Sequence, residues 1–183
     1  AIVHNLVAKP FGGTVYPVNI VRPSIMGIRA YKTVADIPER VDLGVITTPA
    51  KLVPPLVKEC VDAKVKSVII ISAGFAEMGE EGHVLLEQIR EYTKDSPIRI
   101  VGPNCLGVMN PITGLNATFS ATGMRPGRIG FITQSGALGT TVIDWSMIEN
   151  VGFSRFASVG SMMDVSWGDL ITYFGDDEDT ESI

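Results

Sequence analysis

Short apolar runs alternate along this chain with stretches in which apolar residues recur at helical spacing. The apolar runs are rich in Val and Ile and show little polar alternation, which is typical of parallel strands covered on both faces. They predict strands at Thr14–Val18, Asp42–Thr47, Ser67–Ser72, Ile98–Val101, Arg128–Thr133 and Arg155–Val159. The helical stretches are Ala1–Ala8, Ala50–Ala63, Glu80–Thr93, Gly136–Asn150 and Val165–Phe174. This alternation predicts a doubly wound α/β fold with a parallel sheet.

Two departures from the regular pattern bear on domain organisation. The chain opens on a helix, so we expect either a fold that starts with a helix or, as we favour, a first strand and Gly-rich turn missing from this sequence. Residues 110–128 contain several Gly and Pro and no periodicity, and loops of that length are uncommon inside a domain. We therefore predict one domain over residues 1–124 and the start of a second over residues 125–183, with both ends of the chain cut.

Composition narrows the classes of function. The net charge of −5 argues against sequence-independent nucleic-acid binding, and no apolar run is long enough to span a membrane. Two cysteines cannot form a disulfide framework, which favours the cytoplasm. His4 and His83 lack the spacing of metal ligands, so no metal site is predicted. The acidic run Gly175–Thr180 predicts a helix end followed by a linker or a new helix.

One turn has the features of an anion site. Thr133-Gln134-Ser135-Gly136 follows an apolar strand and opens a helix rich in small residues. Ser135 is a good N-cap, and Gly136 leaves the first backbone N–H groups uncovered, so that the helix N-terminus can bind a phosphate. The hydroxyls of Thr133 and Ser135 offer further donors. An ordinary capped turn is the alternative; a Walker A loop is excluded because no Gly-Lys-Ser/Thr follows.

Three other predicted strands end in small or hydroxylated residues. Because the carboxyl ends of parallel strands share one edge of the sheet, these ends predict a ligand crevice there. The residues are Thr48, Pro49, Ser72, Gly74, Asn104 and Cys105. A nucleophilic role for the cysteine is disfavoured because neither histidine has the context of its base partner.

The end of the first predicted strand carries a different signal. In Rossmann-type folds an acidic residue at the tip of the second strand favours NAD, whereas this chain has Val18, Asn19 and Arg22. A cation there suits a phosphorylated ribose, as in NADP or coenzyme A. A solvated surface arginine is the alternative.

Four segments, taken in order, resemble one family. They are Val15–Asn19, Ile71–Glu77, Gly102–Gly107 and Thr133–Gly139, and with their spacing they are similar to the NDP-forming acyl-CoA synthetases. ADP-forming acetyl-CoA synthetase is the type of this family, and the α subunit of succinyl-CoA synthetase is a more distant relative. The likeness extends over essentially the whole chain.

The resemblance implies a Rossmann-like CoA-binding domain over residues 1–124 and the start of a flavodoxin-like ligase domain over residues 125–183. It implies the reaction acyl-CoA + ADP + phosphate ⇌ acid + CoA + ATP, through an acyl phosphate and a phosphohistidine. Asn19, Thr48, Pro49, Ser72 and Asn104–Cys105 would line the CoA site, with Arg22 as the cation because Ile20 and Val21 replace the family's Pro and Lys. Thr133, Ser135 and Gly136 would hold the phosphoryl group.

The same resemblance implies that further functional parts of the enzyme lie outside this sequence. ADP or ATP and Mg²⁺ would bind an ATP-grasp domain or subunit, the phosphohistidine would lie beyond Ile183, and the assembly would be an oligomer. This stretch alone would then not complete the reaction. One alternative is a CoA- or nucleotide-sensing module of a protein lysine acetyltransferase. Another is an NADP-linked oxidoreductase, for which no residue stands out as catalytic.

Overall fold

The fold alternates strands and helices much as the apolar pattern predicts. A computed structural model describes residues 1–183. The helices are α1 (Ile2–Ala8), α2 (Val53–Asp62), α3 (Glu80–Thr93), α4 (Gly136–Ile148) and α5 (Trp167–Gly175). The strands are β1 (Ser24–Ile25), β2 (Ile28–Arg29), β3 (Leu43–Ile46), β4 (Ser67–Ile70), β5 (Arg99–Val101), β6 (Gly107–Asn110), β7 (Leu115–Thr118), β8 (Arg125–Thr133) and β9 (Gly152–Ser158). No helix is long and apolar enough to cross a membrane.

A three-stranded parallel sheet in the order β3-β4-β5 forms the first layer. Leu43 pairs with Ser67, and Ser67 pairs with Arg99, so the three strands end at one edge. Parallel neighbours need crossover helices, and α2 and α3 supply them. Their buried residues, including Val57 and Ile89, pack with the sheet into the largest core cluster.

The opposite face of this sheet is covered by α1 and the β6–β7 hairpin. Ile69 of β4 packs with Cys105 and with Ala117 of β7, and Leu6 of α1 lies against the same cluster. Asn5 fixes α1 to the hairpin, since its side-chain amide donates to the carbonyls of Thr118 and Ser120, both at 2.8 Å. Both faces of the sheet are therefore buried, as its apolar strands predict.

The second sheet has the order β7-β6-β9-β8. β8 and β9 are parallel and β6 is antiparallel to both of its neighbours. α4 packs on one face through Ile143, and α5 packs on the other through Phe174. Strands on both sides of the predicted division at 124/125 thus share one sheet, and the division itself stays a prediction.

Three details of the sequence prediction are wrong. Thr14–Val18 is not a strand: Pro17 has no N–H to donate, and only Val18 forms an isolated bridge, with Tyr31. Residues 110–128 are not structureless, because β7 and the start of β8 lie within them. The helix end predicted at Gly175 agrees with the end of α5, but the acidic run after it is not a linker, because Asp177 and Asp179 pair with the largely buried Arg155.

Candidate functional site

Hydrogen bonds join three strand ends at the carboxyl edge of the first sheet. The Ser72 hydroxyl, after β4, donates to the carbonyl of Thr48, after β3, at 2.6 Å. The backbone N–H of Asn104, after β5, donates to the carbonyl of Ser72 at 2.9 Å. We call Thr48, Ser72, Gly74 and Asn104 the strand-tip cluster. The structure therefore brings these predicted residues together; Pro49 and Cys105 adjoin the cluster in sequence.

One polar atom of the strand-tip cluster lacks a partner. The Oγ1 atom of Thr48 is buried and makes no hydrogen bond. A buried hydroxyl without a partner is unfavourable, by about 1–3 kcal/mol, and such groups are uncommon in folded proteins. Close by, Gly74 adopts a φ of +107°, and a Cβ there would lie 2.9 Å from that of Ala50. The cluster thus offers a polar group to a ligand, and at Gly74 it permits a ligand to approach the backbone closely.

The loop Gly102–Cys105 is held from two sides. On one side, Asn104 is bonded to Ser72. On the other side, the Pro103 carbonyl accepts the N–H of Ser161 at 2.9 Å, and the Gly102 carbonyl accepts the N–H of Met163 at 3.0 Å. We call residues 159–165, which follow β9, the connecting segment. Gly160 makes its close approach possible, since a Cβ at that glycine would meet the Pro103 carbonyl oxygen at 2.2 Å.

Cys105 is packed rather than reactive. Its side chain is 3% exposed, and its Sγ lies 3.3 Å from the carbonyl oxygen of Ile70. Burial raises the pKa of the thiol to about 12, with backbone N–H groups opposing only in part. A thiol of that kind stays protonated at neutral pH, so it is not a nucleophile.

The Thr133–Gly136 turn has the geometry of a capped helix start. The Ser135 side chain accepts the N–H of Leu138 at 3.2 Å and leaves its own proton free to donate. No hydrogen bond within the chain uses the backbone N–H groups of Gly136 and Ala137. The turn therefore presents three donors at the positive end of a thirteen-residue helix, which suits an anion.

Thr133 contributes to the turn from within. Its side chain is 3% exposed; the hydroxyl accepts the N–H of Ser135 at 3.2 Å and donates to the Ser135 carbonyl at 3.1 Å. Both sides of the hydroxyl are therefore already bonded. Thr133 shapes the turn, and Ser135 and Gly136 carry the groups that remain open.

The turn lies close to the strand-tip cluster through shared neighbours. The carbonyl of Thr133 accepts the N–H of Val159, the first residue of the connecting segment, at 2.9 Å. A Cβ on Gly136 would lie 3.8 Å from that of Leu106, two residues after Asn104. The N–H of Leu106 in turn donates to the hydroxyl of Ser158 at 3.0 Å. The Thr133–Gly136 turn and the Asn104 loop are therefore adjacent.

Val18, Asn19 and Arg22 form a separate surface loop. The Asn19 side chain accepts the N–H groups of Val21 (3.0 Å) and Arg22 (2.8 Å), which closes a tight turn. Ile20 and Val21 are more than 80% exposed. No hydrogen bond joins this loop to the strand-tip cluster, so the structure does not bring these predicted residues into the cluster.

Sequence reasoning missed two residues that organise the site. Glu77 accepts the N–H of Gly74 at 2.6 Å and the side-chain amide of Asn104 at 3.4 Å. Asp164, in the connecting segment, accepts the N–H of Ile100 at 2.7 Å and pairs with Arg99. The sequence gives no signal of the contacts that these two acidic residues make with other loops and strands, although Glu77 stands at the end of one of the four segments that carry the family resemblance.

Two known families match separate stretches of the chain. Residues 1–111 match the family described as "CoA binding domain", and residues 126–183 match "Succinyl-CoA ligase like flavodoxin domain". The chain therefore belongs to the CoA-binding domain family. A succinyl-CoA-ligase-like flavodoxin domain follows the CoA-binding domain in the sequence. This confirms the resemblance to NDP-forming acyl-CoA synthetases and the Rossmann-like and flavodoxin-like fold class.

Individual relatives of the chain are ADP-forming acetate–CoA ligases, in agreement with the family matches. The chain is 44% identical over 172 residues to acetate–CoA ligase [ADP-forming] II subunit alpha of Pyrococcus furiosus, covering 94% of this chain and 37% of the relative. It is 43% identical over 183 residues to acetate–CoA ligase [ADP-forming] of Methanocaldococcus jannaschii, covering 100% of this chain and 25% of the relative. The chain thus spans about two fifths of the first relative's length and a quarter of the second's.

A solved structure supports the fold. It is dinucleotide forming acetyl-coenzyme A synthetase 1 of Ca. Korarchaeum cryptofilum in complex with phosphate and ADP. The two superpose with a TM-score of 0.92 at 36% identity, covering 98% of this chain and 38% of the other.

Proposed function

We propose that this chain is the CoA-binding portion of an ADP-forming acyl-CoA synthetase of the acetyl-CoA type. The observation that carries the proposal is the adjacency of two unlike sites, the strand-tip cluster and the anion-binding turn, joined through the connecting segment. Relatives at 43–44% identity are acetate–CoA ligases that form ADP. The complete protein would interconvert acyl-CoA, ADP and phosphate with acid, CoA and ATP.

In this proposal the strand-tip cluster binds CoA. The buried, unpartnered hydroxyl of Thr48 gains a hydrogen bond when a ligand covers it, and Gly74 lets the ligand approach the backbone. Pro49, Ser72, Asn104 and Cys105 line the same edge. CoA also carries a ribose 3′-phosphate, and we assign the separate Val18–Arg22 loop to that end, with Arg22 as the cation.

The turn at Ser135 and Gly136 then binds the phosphoryl group. In the direction of ATP synthesis a phosphate oxygen attacks the thioester carbonyl, the C–S bond breaks, and CoA leaves as the thiolate, giving an acyl phosphate. The phosphoryl group next passes to an acceptor in another part of the protein; its P–O bond to the acyl oxygen breaks, and the acid leaves as the carboxylate. Donors fixed at the N–H groups of Gly136 and Ala137 stabilise the phosphoryl oxygens during both steps. Thr133 holds these donors in place.

The chain contains no group that must act as a nucleophile in this scheme. Cys105 is buried with a pKa of about 12, and phosphoryl transfer depends mainly on positioned donors. Nucleotide and Mg²⁺ would bind an ATP-grasp domain or subunit, and we expect an oligomer. Cys60 and Cys105 are both free and buried, which supports a reducing compartment such as the cytoplasm.

Calorimetry and a coupled assay on the complete protein test this function. We expect CoA to bind and ATP to form from ADP only when acyl-CoA and phosphate are both present. Tight binding of NADPH without binding of CoA would instead support the oxidoreductase alternative. The regulatory alternative has no support from the relatives above; binding of CoA without any ATP formation would revive it.

A further inference from the structure

Glu77 occupies an unusual place beside the strand-tip cluster. It lies just after the β4 tip, in a single 3-10 turn over Ala76–Met78. Its Oε1 atom receives the N–H of Gly74 at 2.6 Å, from its own loop, and the side-chain N–H of Asn104 at 3.4 Å, from the loop after β5. One carboxylate oxygen therefore connects the loops that follow two neighbouring strands.

We propose that Glu77 is a positioning residue for CoA, one that fixes the Asn104 amide so that its oxygen accepts an N–H group of the pantetheine arm. This inference rests on the CoA-binding function proposed above. Glu77 acts through Gly74 and Asn104, and it takes no part in bond making or breaking.

The chemistry of the two side chains supports this role. An ionised carboxylate can only accept hydrogen bonds, so the Asn104 side chain must turn its nitrogen, not its oxygen, toward Glu77. The Asn104 oxygen makes no hydrogen bond within the chain, while the backbone N–H of Asn104 is already bonded to Ser72. The side chain thus has one fixed end and one open acceptor. The pantetheine arm of CoA carries amide N–H groups that match an acceptor of this kind.

The charge state of Glu77 is consistent with that arrangement. Partial desolvation raises the pKa of this carboxyl, but the N–H groups of Gly74, Glu77 itself and Phe75 outweigh it, so the pKa lies below its usual value. The carboxylate is therefore a poor base toward the CoA thiol, which argues for positioning and against proton transfer.

Backbone hydrogen bonds hold the Asn104 loop, but the orientation of the Asn104 side chain depends on its contact with Glu77. Asn104 has a φ of +55°, in the left-handed region that asparagine tolerates better than most residues. The side chain is exposed, so packing does not hold its orientation. The contact to Glu77 is the one side-chain hydrogen bond that Asn104 makes.

Three variants of the complete protein test the proposal: E77A, E77Q and the control E80Q. Glu80 is exposed, three residues further on, and makes no hydrogen bond or salt bridge. We expect E77A to raise the KM for CoA about tenfold, the size of one lost charge-assisted bond, and to leave the KM for phosphate within about twofold. E77Q keeps an oxygen for Gly74 and Asn104, so it should restore the KM for CoA to within about threefold of wild type.

Hydrogen exchange separates this proposal from the CoA function on which it rests. Without any ligand, we expect the amide of Gly74 to exchange at least about tenfold faster in E77A than in wild type, E77Q or E80Q, because its acceptor is gone. If wild type shows no CoA-dependent activity while this exchange pattern holds, the function is wrong and the loop-fixing role survives.

Two results would overturn the positioning role. One is unchanged Gly74 exchange and an unchanged KM for CoA in E77A. The other is an equal rise in the KM values for CoA and phosphate, which would indicate a general disturbance. If E77A does not fold, E77D serves instead, because its shorter side chain withdraws the oxygen from both donors and is expected to raise the KM for CoA in the same way.

Discussion

The strand-tip cluster and the Thr133–Gly136 turn hold their polar groups in different ways. In the cluster, each loop is bonded to a loop from another strand: Ser72 to Thr48, Asn104 to Ser72, and Glu77 to Asn104. In the turn, every side-chain bond stays within six residues, as Thr133 bonds Ser135 and Ser135 bonds Leu138. One site is assembled from distant segments, and the other is made by a single stretch of sequence.

This difference has a physical consequence. A local turn is positioned as soon as its helix forms, whereas the cluster needs the whole sheet edge in register. The ligands that we propose for the two sites differ in the same way. A phosphoryl group is small and suits one helix N-terminus, while CoA is long and must contact several loops. Variants should therefore separate the two sites by which substrate loses affinity.

The largest effect is expected where the two sites meet. G160A places a Cβ 2.2 Å from the Pro103 carbonyl oxygen at a residue with a φ of +53°, so the connecting segment must move. We expect a loss of about 3 kcal/mol in the free energy of unfolding, together with higher KM values for both CoA and phosphate. Denaturant unfolding and steady-state kinetics measure these changes. G123A is the control, because that glycine has an unstrained φ and open space around it.

Next in size is the effect of charge at the turn. Asp is as good an N-cap as Ser, so S135D keeps the helix start but places a negative charge in the anion site. We expect the KM for phosphate to rise about tenfold or more through repulsion, with the KM for CoA unchanged. S135A is the matched variant: it should lower stability by about 1 kcal/mol with a smaller effect on phosphate. Unchanged phosphate dependence in S135D would show that phosphate binds elsewhere.

S72A is expected to affect the KM for CoA rather than the KM for phosphate. This change removes the bond from Ser72 to the Thr48 carbonyl and loosens two loops of the strand-tip cluster. A hydrogen bond of this kind contributes about 1 kcal/mol, so the KM for CoA should rise about fivefold while the KM for phosphate stays the same. S96A, in the turn after α3, is a control far from the cluster. Equal changes for both substrates would remove the distinction between the two sites.

The smallest effect concerns the first turn of α5, just after the connecting segment. Hydrogen bonds from the Ser166 hydroxyl and backbone, with help from Arg99, lower the pKa of Asp169 from 3.8 to about 2. Because its pKa is lower in the folded state, this carboxylate stabilises the fold above pH 3.8, and the contribution disappears as the pH falls toward about 2. D169N should therefore unfold more easily than wild type at pH 6, and the two should converge near pH 2. D176N, at an exposed aspartate without a salt bridge, should follow wild type throughout.

Much of the fold was accessible from the sequence because it depends on local patterns. The bounds predicted for α3 agree with the structure, since its acidic first turn and apolar period are clear. β3, β4 and β5 were found because continuous apolar runs are needed when both faces are covered. The β6–β7 hairpin was missed because its strands are short and contain polar residues such as Asn116 and Thr118; it is stabilised by distant partners in β9 and α1.

In the candidate site too, local patterns could be predicted from the sequence and contacts between distant segments could not. The grouping of Thr48, Ser72 and Asn104 follows from the rule that parallel strands end together, and the Ser135 cap follows from local sequence. Glu77 could not be predicted as a link, because that requires knowing which way two side chains from different loops turn. Arg155 is a similar case: its partners Asp177 and Asp179 lie more than twenty residues away in an acidic run with no periodicity.

The sheet that contains β6 and β9 has a practical consequence for how this protein can be divided. Residues 1–111 and 126–183 match separate families, yet a piece made of residues 1–111 would carry β6 without either of its hydrogen-bonded neighbours, β7 and β9. Unpaired strand edges promote aggregation. The two matched segments are therefore not expected to be stable when expressed or exchanged separately, because the β6–β7 hairpin packs on the first sheet and is hydrogen-bonded to β9 of the second.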